Sequence, residues 1–372
     1  MPSPEIQSRS ELRPLTSVRG IAAWFVVLYH IRLSAAQTLG PDLVAIFAKG
    51  YLAVDFFFML SGFVIWLNYA DRLRKDGLTG MPCFLWRRLA RIYPLHLFML
   101  CGAILFVCAH IALGKTIPPE FPIRELPLHV LLVQNWGFTD HLTWNSPAWS
   151  ISCEFAAYLL FPLLAVSVDW RRWPTILLVG SAGALVLILF TTMRSAGATY
   201  LVTDVTHFGL VRCLTQFCIG TIVCALWTRW RDKPRLPATL ASLCGTAASI
   251  AFLSGTLEAI SIPIAFACLL LALALTAEHP RHPLGGNAVH YLGEISYATY
   301  LVHYLLFVGF KLVFVSDPHD VTIVQLTIFL LLTLAASSIL HRFIERPSQR
   351  WLNRRITRTQ SASTNAISAS VN

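Results

Sequence analysis

Charge is scarce in this chain. Only 13% of its 372 residues are Asp, Glu, Lys or Arg, against about 25% in a soluble domain. That shortage argues against a soluble globular protein. Nine cysteines are present, but no two form a C-x-x-C pair and most lie inside apolar runs. The pattern argues against a metal site or a disulfide framework, and the cysteines read as small core residues. No small-residue cleavage site follows the first apolar run, so that run is expected to remain as a span. No fixed-period repeat is evident.

Hydrophobic residues, by contrast, make up 56% of the chain. A bilayer crossing takes roughly 20 mostly apolar residues. Ten segments qualify: about 15–35, 50–70, 92–113, 147–168, 174–193, 208–227, 238–255, 260–277, 290–314 and 322–341. The expected fold class is all-α: a polytopic integral membrane helical bundle of about ten transmembrane helices. Residues 1–14 form an amino-terminal segment and 15–347 the transmembrane domain. Residues 348–372 are a polar tail, expected to be disordered. Between the third and fourth spans, residues 114–146 form a long connection, and its "LHVLLVQNW" suits an interfacial or re-entrant helix.

The net charge of +10 could suggest nucleic acid, but its distribution argues for a membrane. Twenty-one of the 29 Lys and Arg residues fall in segments on one side of the ten spans, and five on the other. The positive-inside rule then puts both termini in the cytoplasm. An odd number of spans would destroy this asymmetry.

Ionisable residues inside spans are costly, and they mark candidate sites. The first span reads "TSVRGIAAWFVVLYHIR". Arg19 and His30 are eleven residues apart, which is three helical turns plus roughly 20°. They share a face and lie about 16 Å apart along the axis. Arg19 is toward the cytoplasm and His30 toward the outside. The second span, "KGYLAVDFFFMLSGFVIW", places Asp55 near the outer side at the depth of His30, an obvious partner. Ser61 and Gly62 suit close helix packing. In "FLWRRLARIYPLH", the loop into the third span, Arg87, Arg88 and Arg91 gather at the cytoplasmic face. Their planar forks suit a polyphosphate, although lipid headgroups would also be attracted. The fourth span, "NSPAWSISCEFAAYLLFP", puts Trp149 at the outer interface and Glu154 deeper. The ninth, "YLGEISYATYLVHYLLF", carries Glu294, Tyr297, Tyr300 and His303, with Ser296, Tyr300 and His303 near one face. These residues outline a polar path with a basic cytoplasmic mouth, in a transmembrane enzyme or a proton-coupled transporter.

Six segments together carry a resemblance. They are "RGIAAWFVVLYH", "GYLAVDFFFMLSGF", "RRLARIYP", "PAWSISCEFAAY", "LGEISYATYLVH" and "RFIERP", in order over roughly residues 15–347. In this the chain resembles the acyltransferase-3 family of bacterial membrane O-acyltransferases. Ala53, Ile151 and Cys153 depart from the family pattern without removing a polar group. The resemblance implies a multi-pass protein of the bacterial inner membrane, in a stand-alone form without a fused extracytoplasmic hydrolase-like domain. It implies an acyl-CoA donor, usually acetyl-CoA, and no metal. The implied acceptor is a hydroxyl on a surface glycan or lipid-linked sugar, as in polysaccharide biosynthesis, with a macrolide-like small molecule as the alternative.

On that reading Arg87, Arg88 and Arg91 hold the phosphates of coenzyme A, and Arg19 guides the thioester arm inward or polarises its carbonyl. His30 is the base that takes the acceptor's proton, with Asp55 or Glu154 fixing its tautomer. An acyl-histidine intermediate on His30 is the variant mechanism. Trp149, Tyr297, Tyr300 and His303 line the substrate channel.

Overall fold

The computed structural model describes residues 12–317 and 320–354. All of its regular structure among these residues is helical. Among the described residues, nine continuous helical stretches are long and apolar enough to cross a bilayer. One of them, Gly50–Ala112, has 63 residues and reverses midway. Gly77 adopts φ +63°, and the Tyr69 and Phe84 rings on either side of it meet at 5.1 Å. This stretch is therefore two crossings, and the ten expected spans are all present.

In chain order the helices begin with α1 (Arg13–Ile31), α2 (Ala36–Phe47), α3 (Ala53–Asp76), α4 (Met81–Ala112) and α5 (Leu126–Leu131). They continue with α6 (Trp149–Ser167), α7 (Thr175–Ser195), α8 (Val205–Trp230), α9 (Arg235–Leu253) and α10 (Glu258–Leu275). The last three are α11 (Asn287–Glu294), α12 (Ser296–Phe314) and α13 (Ile323–Leu340). Ten crossings return both ends of the described chain to one side.

Helices α3 and α8 form the centre. They approach closely because Gly62 and Gly220 face each other's backbone. A Cβ on Gly62 would overlap the Phe217 carbonyl, and one on Gly220 the Met59 carbonyl. Gly62→Ala should therefore lower the thermal unfolding midpoint in detergent, with overpacking costing about 1–3 kcal/mol. An unchanged midpoint would contradict the close approach. Helices such as α9 form the periphery. Its Leu236, Leu240 and Leu243 are exposed, which in a bilayer means lipid-facing.

Three boundaries differ from expectation. Helix α4 starts eleven residues before the expected span, so Arg87, Arg88 and Arg91 lie on a helix and not in a loop. Its 32 residues are about 48 Å long, so its first turns stand beyond the roughly 30 Å hydrocarbon core. The ninth span is broken at Ile295 into α11 and α12. At the carboxyl end, helix continues to Arg354, so residues 348–354 of the expected tail are ordered. The rest of the tail lies outside the described residues, as does most of the amino-terminal segment.

The 114–146 connection is folded down onto the bundle. Its one α-helix has only six residues and ends at Leu132 in the left-handed region. Asn135 donates to the Val205 carbonyl at 3.0 Å, and Asn145 to the Leu301 carbonyl at 2.9 Å. Burial pushes the His129 imidazole down to about 3, so it stays neutral. It bonds Thr143, which donates to Glu125.

Candidate active site

Helix α12 carries one polar face, as the spacing of Ser296, Tyr300 and His303 predicts. Each of the three meets a different partner. Ser296 Oγ accepts from Arg19 Nε at 2.9 Å. The Tyr300 hydroxyl lies 2.7 Å from Ser150 Oγ and donates to the Pro147 carbonyl at 3.0 Å. His303 Nε2 lies 3.2 Å from His30 Nδ1. Helices α1 and α11–α12 run in parallel and touch at Gly20 and Gly293, where an added Cβ on Gly293 would overlap the Thr16 carbonyl. His30 and His303 each lie ten residues further on, which is why they meet at one depth.

The hydrogen bonds fix the tautomers of this pair. A carbonyl only accepts, so His30 Nδ1, 2.9 Å from the Val26 carbonyl, carries a proton. The same logic protonates His303 Nδ1, 3.1 Å from the Thr299 carbonyl. His303 Nε2 is then left as an acceptor, and the one His30 Nδ1–H is shared between it and the nearer Val26 carbonyl. The remaining nitrogen, His30 Nε2, keeps its lone pair and makes no hydrogen bond among the described residues.

Toward the cytoplasmic end lies a cavity of about 160 Å³ between α1, α3, α4, α6 and α12. Arg19, Arg88, Arg91, Glu154, Ser296 and Tyr300 all contribute to its wall, with Val54, Phe57 and Phe58 toward the outer end. Glu154 accepts from Ser61 and Tyr158. Arg91 pairs with Glu345 and faces the Tyr297 ring at 5.6 Å. Arg88 sits over Tyr69 and Tyr158 at 5.4 and 5.6 Å, and its buried Nε has no hydrogen-bond partner among the described residues. Of the arginines expected to bind phosphate, Arg88 therefore has the donor to spare.

Several expected associations differ. Arg87 faces a separate small recess with Arg72 and Cys83, away from the cavity. Asp55 does not reach His30. Its carboxylate takes two bonds from Arg212, at 3.2 and 2.7 Å, and both side chains are essentially inaccessible, at 0% and 1%. Depth along α3 was legible, but Asp55 faces α8 and not α1. Glu154 likewise bonds α3 and its own helix, so neither carboxylate sets the His30 tautomer. Trp149 is buried against the Arg212 guanidinium at 5.4 Å, not at a lipid interface, and it does not line the cavity. Tyr297 does line it, with its hydroxyl donating to the Ile92 carbonyl at 2.6 Å. Arg212, Ser150 and Tyr158 are not among the site residues expected from sequence, and Ser61, expected to serve helix packing, donates its hydroxyl to Glu154. Of these only Arg212 carries a clear signal in the sequence, as an ionisable residue within a span. No grouping of His, Cys, Asp or Glu suited to a metal occurs among the described residues.

Comparison with known proteins bears on what such a bundle does. A family model described as an acyltransferase domain matches residues 15–342. Acyltransferase MdmB of Streptomyces mycarofaciens is 33% identical, over 92% of this chain and 93% of that protein. O-acetyltransferase OatA of Staphylococcus aureus is 24% identical, over 90% of this chain and 56% of that protein. Protein 2 in picA locus of Rhizobium radiobacter is 36% identical, over 43% of this chain and 80% of that protein. No solved structure matches the chain. The family match runs through α1 to α13 and so takes in every wall of the cavity and both imidazoles. This multi-pass membrane protein is an acyltransferase and belongs to the acyltransferase-3 family.

Proposed function

We propose that the protein moves an acetyl group from cytoplasmic acetyl-CoA to a hydroxyl of an extracytoplasmic or lipid-linked glycan, in the bacterial inner membrane. One observation carries this reading: the cavity walled by Arg19, Arg88, Arg91 and Tyr300. His30 and His303 lie outside its lining, but the Tyr300 ring is 6.1 Å from that of His303, which meets His30. The name of OatA supports oxygen as the acceptor and acetyl as the group.

Arg88, with Arg91 and Arg19 beside it, holds the pyrophosphate of the donor. The donor's arm then extends outward along α12 toward His30, over the three turns, about 16 Å, that separate Arg19 from His30. Near the outer end, His30 Nε2 takes the proton of the acceptor hydroxyl as the oxygen attacks the thioester carbonyl. The C–S bond breaks, and the proton returns to the departing thiolate of coenzyme A. His303 and the Val26 carbonyl together orient the His30 ring and stabilise the imidazolium by sharing its Nδ1–H, the part a carboxylate plays in a triad. Asp55, with Arg212, holds α3 against α8.

Release of free CoA from acetyl-CoA by the purified protein, with acetyl appearing in a glycan fraction, tests the reading. Arg88→Ala should raise the KM for acetyl-CoA roughly tenfold to a hundredfold, the worth of a hydrogen bond between charged groups. An unchanged KM would remove Arg88 from the donor site.

A further inference from the structure

A second cavity, of about 530 Å³, lies below the first. The chain ends of α8 and α10, the start of α9, Leu12 and Leu67 form its wall. Leu12 is seven residues before Arg19, and Leu67 is seven after Leu60. Arg19 and Leu60 both line the upper cavity. Seven residues are about two turns, roughly 10 Å of rise on nearly the same face. Helices α1 and α3 are antiparallel, so both displacements point the same way, toward the basic loops. The two cavities are thus stacked along α1 and α3.

The lower recess has its own chemistry. Trp227 is buried, and its indole is fixed by donating to the Ala274 carbonyl at 3.0 Å. The Arg231 guanidinium covers the ring at 5.5 Å, presenting a second flat face. Arg235 is exposed, and its side chain makes no hydrogen bond or ion pair among the described residues. Asp232 opposes this charge weakly. Its side chain is 89% exposed and lies 4.0 Å from Arg231, so water screens the pair. Glu278, also in the wall, is exposed as well.

We infer that this recess holds the adenosine 3′-phosphate end of the acyl donor. The base stacks on the Arg231–Trp227 layer, and the 3′-phosphate meets Arg231 and Arg235. The pyrophosphate then lies about two turns higher, at Arg88 and Arg91. The inference rests on the acyl-CoA reading above and adds a second anchoring point for the same donor.

The test compares acetyl-CoA with acetyl-3′-dephospho-CoA, which lacks only the 3′-phosphate, in phosphatidylcholine nanodiscs. The unaltered protein should favour acetyl-CoA roughly tenfold or more in kcat/KM. The double variant Arg231→Gln/Arg235→Gln, both at exposed positions, should bring the ratio of the two donors toward one by raising the KM for acetyl-CoA. A ratio left unchanged by the double variant would overturn the inference. So would a preference that disappears only when phosphatidylglycerol is added, since the recess would then be a lipid headgroup site. CoA release without any donor preference sinks the recess alone. No CoA release from either donor sinks the acyl-CoA reading with it.

Discussion

His30→Ala should lose acyl transfer while the protein still folds. His30 is half-buried at the outer end of α1, and its ring meets Tyr29, His303 and Tyr304 at 5.0, 4.9 and 5.8 Å. Removing it deletes the Nε2 lone pair to which the proposed mechanism sends the hydroxyl's proton. General-base catalysis is worth about 10²- to 10⁴-fold, so kcat should fall by that range with the KM for acetyl-CoA nearly unchanged. His303→Gln should fall less, because it disturbs the orientation of His30 and not the base itself. A His303 variant as inactive as His30→Ala would move the chemistry to the inner imidazole. Incubating the protein with labelled acetyl-CoA and no acceptor separates the two mechanisms. Covalent label on the chain, absent in His30→Ala, identifies an acyl-histidine.

The second large effect is on stability. Asp55 and Arg212 form a bidentate pair with no access to solvent or lipid. Breaking such a pair by removing one partner costs about 3–5 kcal/mol, because the other charge is left buried and uncompensated. Asp55→Leu and Arg212→Leu should therefore each lower the unfolding temperature in detergent or prevent accumulation. The double variant should recover much of the loss, since a buried pair is often replaceable by apolar side chains. The double-mutant cycle measures the coupling. The opposite outcome is equally informative. A stable, inactive Asp55→Asn would return Asp55 to the chemistry, where its depth alone had placed it.

These two predictions mark where the sequence could be read and where it could not. Periodicity within one helix was legible. It paired Arg19 with His30 on one face of α1 and aligned Ser296, Tyr300 and His303 on α12. The loop charges gave those helices a direction. What a single helix cannot reveal is its rotation against its neighbours. Asp55 and His30 share a depth, but α3 turns Asp55 toward Arg212, 157 residues away in sequence. His30 instead meets His303, 273 residues away. That contact depends on Gly20 and Gly293 bringing α1 and α11 together, a packing detail with no local signature. The three cytoplasmic arginines show the same limit. Their segment carries no sequence signal that separates helix from loop, so the divergence of Arg87 from Arg88 and Arg91 has no basis in sequence.

The central claim is that an acyl group enters from a cytoplasmic thioester and leaves on an acceptor across the bundle. Membrane vesicles of defined sidedness, given radiolabelled acetyl-CoA, test it most directly. Inside-out vesicles should release CoA and incorporate label into glycan, and His30→Ala vesicles should not. Right-side-out vesicles, which hide the Arg88 face from the donor, should remain unlabelled. Equal labelling from both orientations, or label incorporated by His30→Ala at the normal rate, would contradict the account.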